Sequence, residues 1–284
     1  MLTSNFMPSS LSISATVPIM PVFTPPPVIF PDFTSEALVA ISADRSGMQD
    51  FFSLHGLTYL SGLRFKNKHI RVDAEIAAEN CTQAMRQILA YGLHRNGGEE
   101  QELIDVMRKE GDDLQYNLSP DLGIAVINER VGFGCFALSD MKQGELIGEY
   151  TGYVSTMSLL SGTNMYCMSS NPWHEMVRRF ARRFQPFLVV DAQKGGNETR
   201  FINHIPSELV LSGTALTAAN VELFSSFSAG LFHVLLQTSR DISAGEELRF
   251  DYGPSYWSRH QDRDESRVYR LCENSVCAVP TILR

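Results

Sequence analysis

From about residue 119 onward the chain is written in short β-prone runs separated by turns, and this pattern most limits what it can fold into. The runs are GIAVINE, FGCFAL, GELIGEYTG, PFLVVDA, NVELF, LFHVLLQTS and EELRFDYG, dominated by Val, Ile, Phe and Tyr. β-Branched and aromatic side chains fit the pleated, half-buried surface of a strand. Strands this short favour several small sheets over one doubly wound sheet. One segment breaks the pattern: WHEMVRRFARRF, residues 173–184, reads as an amphipathic helix. There is no internal repeat.

Before residue 119 the signals are helical. Asp73 stands as a cap ahead of Ile76, Ala77, Cys81, Ala84, Met85 and Ile88 at helical spacing, and Gly92 supplies a stop. A second helix fits Glu99 to Glu110, with Leu103, Val106 and Met107 on one face and Gly111 at its end. The acidic residues around it read as a solvated face. Residues 1–31 are rich in Ser, Thr and Pro and close on PVFTPPPVIFP. Successive prolines remove backbone donors and favour an extended conformation, so this stretch reads as a mobile tail. The expected organisation is a tail over 1–31, a helical region over 32–118, a mainly β domain with flanking helices over 119–257, and a C-terminal tail over 258–284.

A length of 284 residues suits one large domain or two modest ones. The net charge of −8 speaks against a broad basic face, so direct nucleic-acid binding is not expected. The same charge suits a basic peptide partner, and it also serves plain solubility. No run of about 18 apolar residues exists, so no membrane span is expected. The five cysteines are odd in number and scattered, which points to an intracellular reducing compartment, cytoplasm or nucleus. The N-terminus lacks the basic region and apolar core of a secretory signal. Its composition also fits a non-cleaved export signal, and a bacterial effector delivered into a host cell is a second placement. No motif sets the oligomeric state.

Gly132, Gly134 and Ala137 satisfy GxGxxA after the strand-like GIAVINE, a permitted dinucleotide-binding fingerprint and the basis of a nucleotide-dependent oxidoreductase reading. That chemistry needs a helix to begin at the glycines, with its N-terminal dipole facing pyrophosphate. Here FGCFAL continues as strand and DMKQG is a turn, which disfavours it. His174 and Glu175 open like a zinc-protease helix, but Arg178 stands where the second histidine is needed.

GFG at 132–134, GEYTG at 148–152, NETRFINH at 197–204 and GEELRFDYG at 245–253 are each weak signals. In this order and spacing, over roughly residues 119–257, they resemble the SET domain, the fold of most protein-lysine methyltransferases. The resemblance implies a SET-type α+β fold of several small β-sheets with a helical N-terminal extension. It also implies S-adenosyl-L-methionine as cofactor and a basic protein or peptide, histone or histone-like, as substrate. The first 118 residues carry no such resemblance.

The resemblance places Gly132, Phe133, Gly134, Arg200, Phe201, Asn203 and His204 at the cofactor, together with Tyr252. Glycines let the backbone approach a ligand closely, and an Asn amide offers both donors and an acceptor. Tyr252 matches the tyrosine closest to the transferred methyl and Tyr166 the tyrosine before a central aspartate, here Asp191. Phe250 matches the position that sets how many methyl groups are added, and its missing hydroxyl implies di- or trimethylation. Trp257 and Tyr256 match aromatic residues that close the substrate channel. Glu149 and Glu246 read as structural carboxylates.

The chain departs from the family in two places. Many SET enzymes hold zinc through a cysteine after NHS and a CxCx4C tail. Here Ile205 and Pro206 follow Asn203 and His204, and Arg270 stands at the first tail cysteine, leaving Cys272 and Cys277. A tetrahedral structural site takes four protein ligands, so zinc is not expected. Ile205 in place of serine opens an alternative: a catalytically degenerate SET module that binds a protein partner. Arg178, Arg179, Arg182 and Arg183 lie where the family carries its variable insert and read as a solvated or ion-paired face.

Overall fold

The computed structural model describes residues 38–93, 97–108, 118–128, 132–156, 164, 166–181, 186–204, 208–211, 214–217, 219–228, 230–252, 269–272 and 275–280. Tyr256 and Trp257 lie outside the described residues, as do Ile205, Pro206, Gly111 and the expected tail over 1–31.

The β-rich region resolves into small sheets, as its short runs imply. Leu38–Ile41, Leu122–Asn128 and Gly132–Ala137 form one antiparallel sheet in that order. Arg64–Phe65, Tyr153–Thr156, Leu188–Asp191 and Cys167–Ser169 form a four-stranded sheet in that order. Val221–Ser228, Leu231–Thr238 and Leu146–Glu149 form a third, antiparallel throughout. Two short parallel pairs matter most for the site: Asn203–His204 with Arg249–Phe250, and Thr58–Tyr59 with Gly195–Gly196. The fold class is the expected one, mainly β with flanking helices. The runs ELVL and TALT, which carry no strand expectation above, pair as a hairpin over Glu208–Leu211 and Thr214–Thr217.

Among the described residues four α-helices flank the sheets. α1 spans Arg45–Leu54, inside the expected helical region over 32–118, though no bounds of its own are expected from the sequence. The Asp44 side chain caps it by accepting from the Gly47 amide at 3.0 Å. Met48, Phe51 and Phe52, at helical spacing, bury its inner face. α2 spans Lys68–Tyr91, beginning five residues before the expected Asp73 cap. The Asn67 carboxamide is the cap, accepting from the His69 and Ile70 amides at 2.9 and 3.0 Å. The first turn of α2 buries only Ile70, so apolar periodicity starts late and the start is hidden. Its end falls at Gly92 as expected, in the left-handed region at φ 62°. α3 spans Glu99–Arg108.

The expected helix over 173–184 is corrected to α4, His174–Val177. Trp173, Met176 and Val177 are buried, and the chain then tightens: the Arg179 and Phe180 amides donate three residues back, to Met176 and Val177. The long amphipathic pattern therefore serves one short buried turn. Arg178 and Arg179 follow it, and Arg182 and Arg183 lie outside the described residues.

Two main cores result. One joins α2, α3, α4 and the Val221–Thr238 hairpin through Cys81, Ala84, Ile88, Leu103, Trp173 and Phe232. The other lies under the motif strands and takes Met48, Phe51 and Phe52 from α1, Ile124 and Cys135 from the first sheet, and Phe201, Ile202 and Phe250 from the motifs. Full burial of such side chains contributes roughly 1.5–3 kcal/mol each, so α1 is an integral part of this core.

Candidate active site

Three separated sequence motifs meet because their backbones are bonded together. The Leu248 amide donates to the Cys135 carbonyl at 2.8 Å and the Ala137 amide to the Glu246 carbonyl at 3.0 Å. This lays GEELRFDYG along GFGCFA. Asn203–His204 then pairs in parallel with Arg249–Phe250. A fourth motif joins through Asn197, whose side chain donates to the Glu149 carbonyl at 2.9 Å. Gly132–Ala137 is a strand, and no helix begins at its glycines. The dinucleotide fingerprint therefore lacks the helix that its chemistry needs.

Gly132 sits at φ 82°, and a Cβ built on it would meet nothing within 4 Å. Backbone here borders open space in a conformation that favours glycine. Gly134 is buried for a different reason: a Cβ there would approach the Glu247 carboxylate to 3.0 Å and the Ile127 side chain to 2.6 Å. Asn203 is held from two sides. Its Nδ2 donates to the Phe133 carbonyl at 3.2 Å and to Glu247 Oε1 at 2.9 Å. Glu247 in turn is ion-paired with Arg249. Sequence reasoning missed Glu247, although the buried pair Glu246–Glu247 beside Arg249 was a signal of charges held inside.

His204 is buried, and its Nδ1 accepts from the Tyr252 amide at 3.0 Å. Burial pulls its pKa down from 6.5 to about 4, outweighing the raising effect of Asp251 at 3.7 Å. The imidazole is thus neutral at pH 7, with its proton on Nε2. Tyr252 lies against it at a ring separation of 5.1 Å and against Phe250 at 4.6 Å. The Tyr252 hydroxyl donates to the Ile202 carbonyl at 2.9 Å. Phe250 is buried.

Arg200 brings Tyr166 into the same group. Its guanidinium stacks 4.5 Å from the Tyr166 ring centre and 4.7 Å from that of Phe201. The Arg200 Nε donates to the Ala192 carbonyl at 3.1 Å. Burial pulls the Arg200 pKa down, while the nearby Tyr166, Tyr150 and Tyr252 act the other way. Tyr166 precedes the strand Cys167–Ser169 and is 40% exposed, whereas Tyr150 is buried and Tyr252 half-buried. Tyr150, which sequence reasoning passed over, is buried and donates its hydroxyl to the Tyr166 carbonyl at 3.1 Å. The remaining acids are tied up elsewhere: Glu149 meets His233 Nδ1 at 2.6 Å, and Glu246 accepts from Asn220 at 2.9 Å and from Arg240.

Gly132, Phe133, Gly134, Arg200, Phe201, Asn203, His204, Phe250, Tyr252 and Tyr166 thus belong to one continuous region built on four motifs. Tyr256 and Trp257 lie outside the described residues. Among the described residues no three His, Cys, Asp or Glu side chains gather as a metal site, and no helix is long and apolar enough to cross a membrane. The side chains of Cys272 and Cys277 are not among those described.

Residues 132–253 match the family model described as the SET domain. The variant-silencing SET domain-containing protein of Plasmodium falciparum is 26% identical over 128 residues, 45% of this chain and 5% of that protein. Histone-lysine N-methyltransferase EZH2 of Chaetomium thermophilum is 30% identical over 131 residues, 45% of this chain and 8% of that protein. A solved structure of ATXR5 in complex with histone H3.1 aligns at a TM-score of 0.48 and 22% identity, covering 75% of this chain and 89% of that one. The chain therefore spans less than a tenth of the length of these two curated relatives.

Proposed function

We propose that this chain, which carries a SET domain across residues 132–253, is an S-adenosyl-L-methionine-dependent protein-lysine N-methyltransferase. Its substrate is a basic protein of histone or histone-like type, taken to the di- or trimethylated state. The observation that carries this reading is the meeting of Tyr252, Tyr166, Phe250, Asn203 and His204 around the strand pair Asn203–His204 and Arg249–Phe250. The names of relatives such as the EZH2 protein support the substrate class, and the net charge of −8 suits a basic partner. The scattered cysteines suit a reducing compartment, cytoplasm or nucleus.

The residues present fit the cofactor. Gly132 borders open space, Asn203 carries a preorganised amide, and His204 is neutral, so it sets no imidazolium charge against a sulfonium. Backbone of Gly132, Phe133 and Gly134 would hold it with Asn203 and His204, and Arg200 and Phe201 would support the floor. Bound there, S-adenosylmethionine supplies a methyl group already activated on sulfur.

The rest falls to the chain's own groups. A free lysine amine has a pKa of about 10.4 and must shed its proton before it attacks. Burial against the Phe250 and Tyr252 rings would disfavour the charged ammonium and so favour the neutral amine. Tyr252 donates its only hydroxyl proton to Ile202, which leaves its oxygen lone pairs for the amine and the partly positive methyl. Tyr166, and in the proposed channel Tyr256 and Trp257, would sheathe the aliphatic stem. Alignment of amine, methyl and sulfur is then a positioning task. Phe250 adds no hydroxyl to restrain a methylated amine from turning for another round.

The test is calorimetric titration with S-adenosylhomocysteine, followed by transfer of labelled methyl groups to fractionated basic proteins. Wild-type protein should bind and transfer, and Asn203→Ala should bind roughly tenfold more weakly, the cost of one buried polar partner. Failure of the folded protein to bind would refute the reading. Binding without transfer to any basic fraction would favour the second reading, a degenerate SET module that docks a partner. Ile205 in place of serine motivates that reading.

A further inference from the structure

Among the described residues, Phe133 packs against a ring of α1 and the ring of its C-terminal cap, a segment with no motif. Phe133 meets Phe51 at 5.1 Å, His55 at 4.8 Å and Phe201 at 5.9 Å between ring centres. Phe201 also meets Phe51 at 5.7 Å and Phe52 at 5.6 Å. The two motif aromatics assigned to the cofactor thus depend on α1 for their packing. His55 sits at the C-terminal cap of α1 and is exposed, its ring T-shaped to that of Phe133.

α1 is fastened at both ends to the NETRFINH motif. Thr58–Tyr59 pairs in parallel with Gly195–Gly196, immediately before that motif. Glu198, within it, is fully buried. Its carboxylate accepts from Ser42 Oγ at 3.0 Å, just ahead of α1, and from the Tyr59 hydroxyl at 3.3 Å, just after α1. Tyr59 also packs on Phe52 at 5.2 Å, and Arg45 lies 6.0 Å over its ring. A buried carboxylate is costly unless bonded, so an acid placed to bridge both flanks of one helix fixes that helix against the motif.

We propose that α1 forms a wall of the cofactor pocket, with His55 as a further residue lining it and Glu198 as the positioning residue that seats the wall. The inference rests on the methyltransferase reading, which puts Phe133 and Asn203 at S-adenosylmethionine. His55 would add an exposed aromatic ring beside Phe133. Glu198, Ser42 and Tyr59 act through α1 and touch no substrate.

The experiment is calorimetry with S-adenosylhomocysteine on wild type, His55→Ala, Tyr59→Phe, Glu198→Gln and Glu198→Ala, with KM for the cofactor and kcat measured in parallel. His55→Ala and Tyr59→Phe should weaken binding roughly three- to tenfold, the scale of one net aromatic contact or hydrogen bond. The rise should appear in cofactor KM, with kcat at saturation and KM for the protein substrate held. A merely structural role would lower the folded fraction and kcat without that split. Glu198→Gln keeps a carbonyl acceptor and should stay closer to wild type than Glu198→Ala. If Asn203→Ala loses affinity while folded His55→Ala and Tyr59→Phe bind as wild type does, the wall is refuted and the enzyme reading stands. If wild type itself does not bind, both fall.

Discussion

Tyr252→Phe separates the chemistry of the site from its architecture. The substitution removes one oxygen and leaves the ring, which packs on Phe250 and His204. It also leaves the backbone bond from the Tyr252 amide to His204 Nδ1. Two losses follow. The Ile202 carbonyl, on a residue 1% exposed, loses its 2.9 Å donor. A buried acceptor left unpaired costs about 1–3 kcal/mol, and each kcal/mol lowers Tm by about 2–4 °C in a domain of this size class. The second loss is at the transition state, where one preorganised polar group is worth roughly 2.7–4 kcal/mol, or 10²–10³ in rate.

The assay has three arms: a thermal melt, titration with S-adenosylhomocysteine, and single-turnover methyl transfer to a substrate verified with wild type. The expected pattern is a small drop in Tm, nearly unchanged cofactor affinity because Asn203 and the glycine strand are untouched, and a rate lower by about two to three orders of magnitude. Turnover within about threefold of wild type would remove Tyr252 from the reacting centre. A parallel collapse of affinity and rate would make it a residue that positions the cofactor.

Phe250→Tyr should shift the product toward monomethylation, read by mass spectrometry of a substrate peptide; wild-type product halting at one methyl under long incubation would refute the reading. His204 predicts a pH dependence of stability. Its folded pKa of about 4 lies below the ordinary 6.5, so the unfolded chain takes up a proton first as pH falls. The stability tied to its neutral form is full above pH 6.5 and is lost as pH falls toward 4, by at most ~3 kcal/mol. Denaturant melts across that range should be flatter for His204→Asn than for wild type. Gly152→Ala should destabilise by about 1–3 kcal/mol, because its Cβ would lie 2.6 Å from the Asp191 carbonyl oxygen and backbone must shift. Scanning calorimetry showing an unchanged Tm would refute that close approach.

The grouping of the candidate site was readable because its residues sit in contiguous strings that also form the backbone contacts. FINH supplies Phe201, Asn203 and His204, and RFDY supplies Phe250 and Tyr252, so recognising the strings recognises the parallel pair they make. The end of α2 was readable for a similar reason, since Gly92 is a local signal. Its start was not. Asn67 caps a first turn with a single buried residue, whereas Asp73 stands ahead of the first dense apolar spacing and misleads. The arginine-rich run failed in the opposite way. Its helical pattern extends past Val177, but burial of Trp173, Met176 and Val177 is satisfied within one turn.

The support of the site was least readable, because it comes from far along the chain. Met48, Phe51 and Phe52 have helical spacing and Asp44 caps them, so α1 itself could have been found; Gly47 in its first turn weakens the signal. Periodicity states that such a face is buried, not what covers it. Only the fold shows that the covering partners are Phe133 and Phe201. Glu198 makes the same point with a polar group. Within NETRFINH it reads as one more acid in a charged string, yet it is fully buried because Ser42 and Tyr59, 156 and 139 residues away, supply its donors. A local motif can therefore specify which groups gather at the candidate site, while their packing is set by partners that no local pattern encodes.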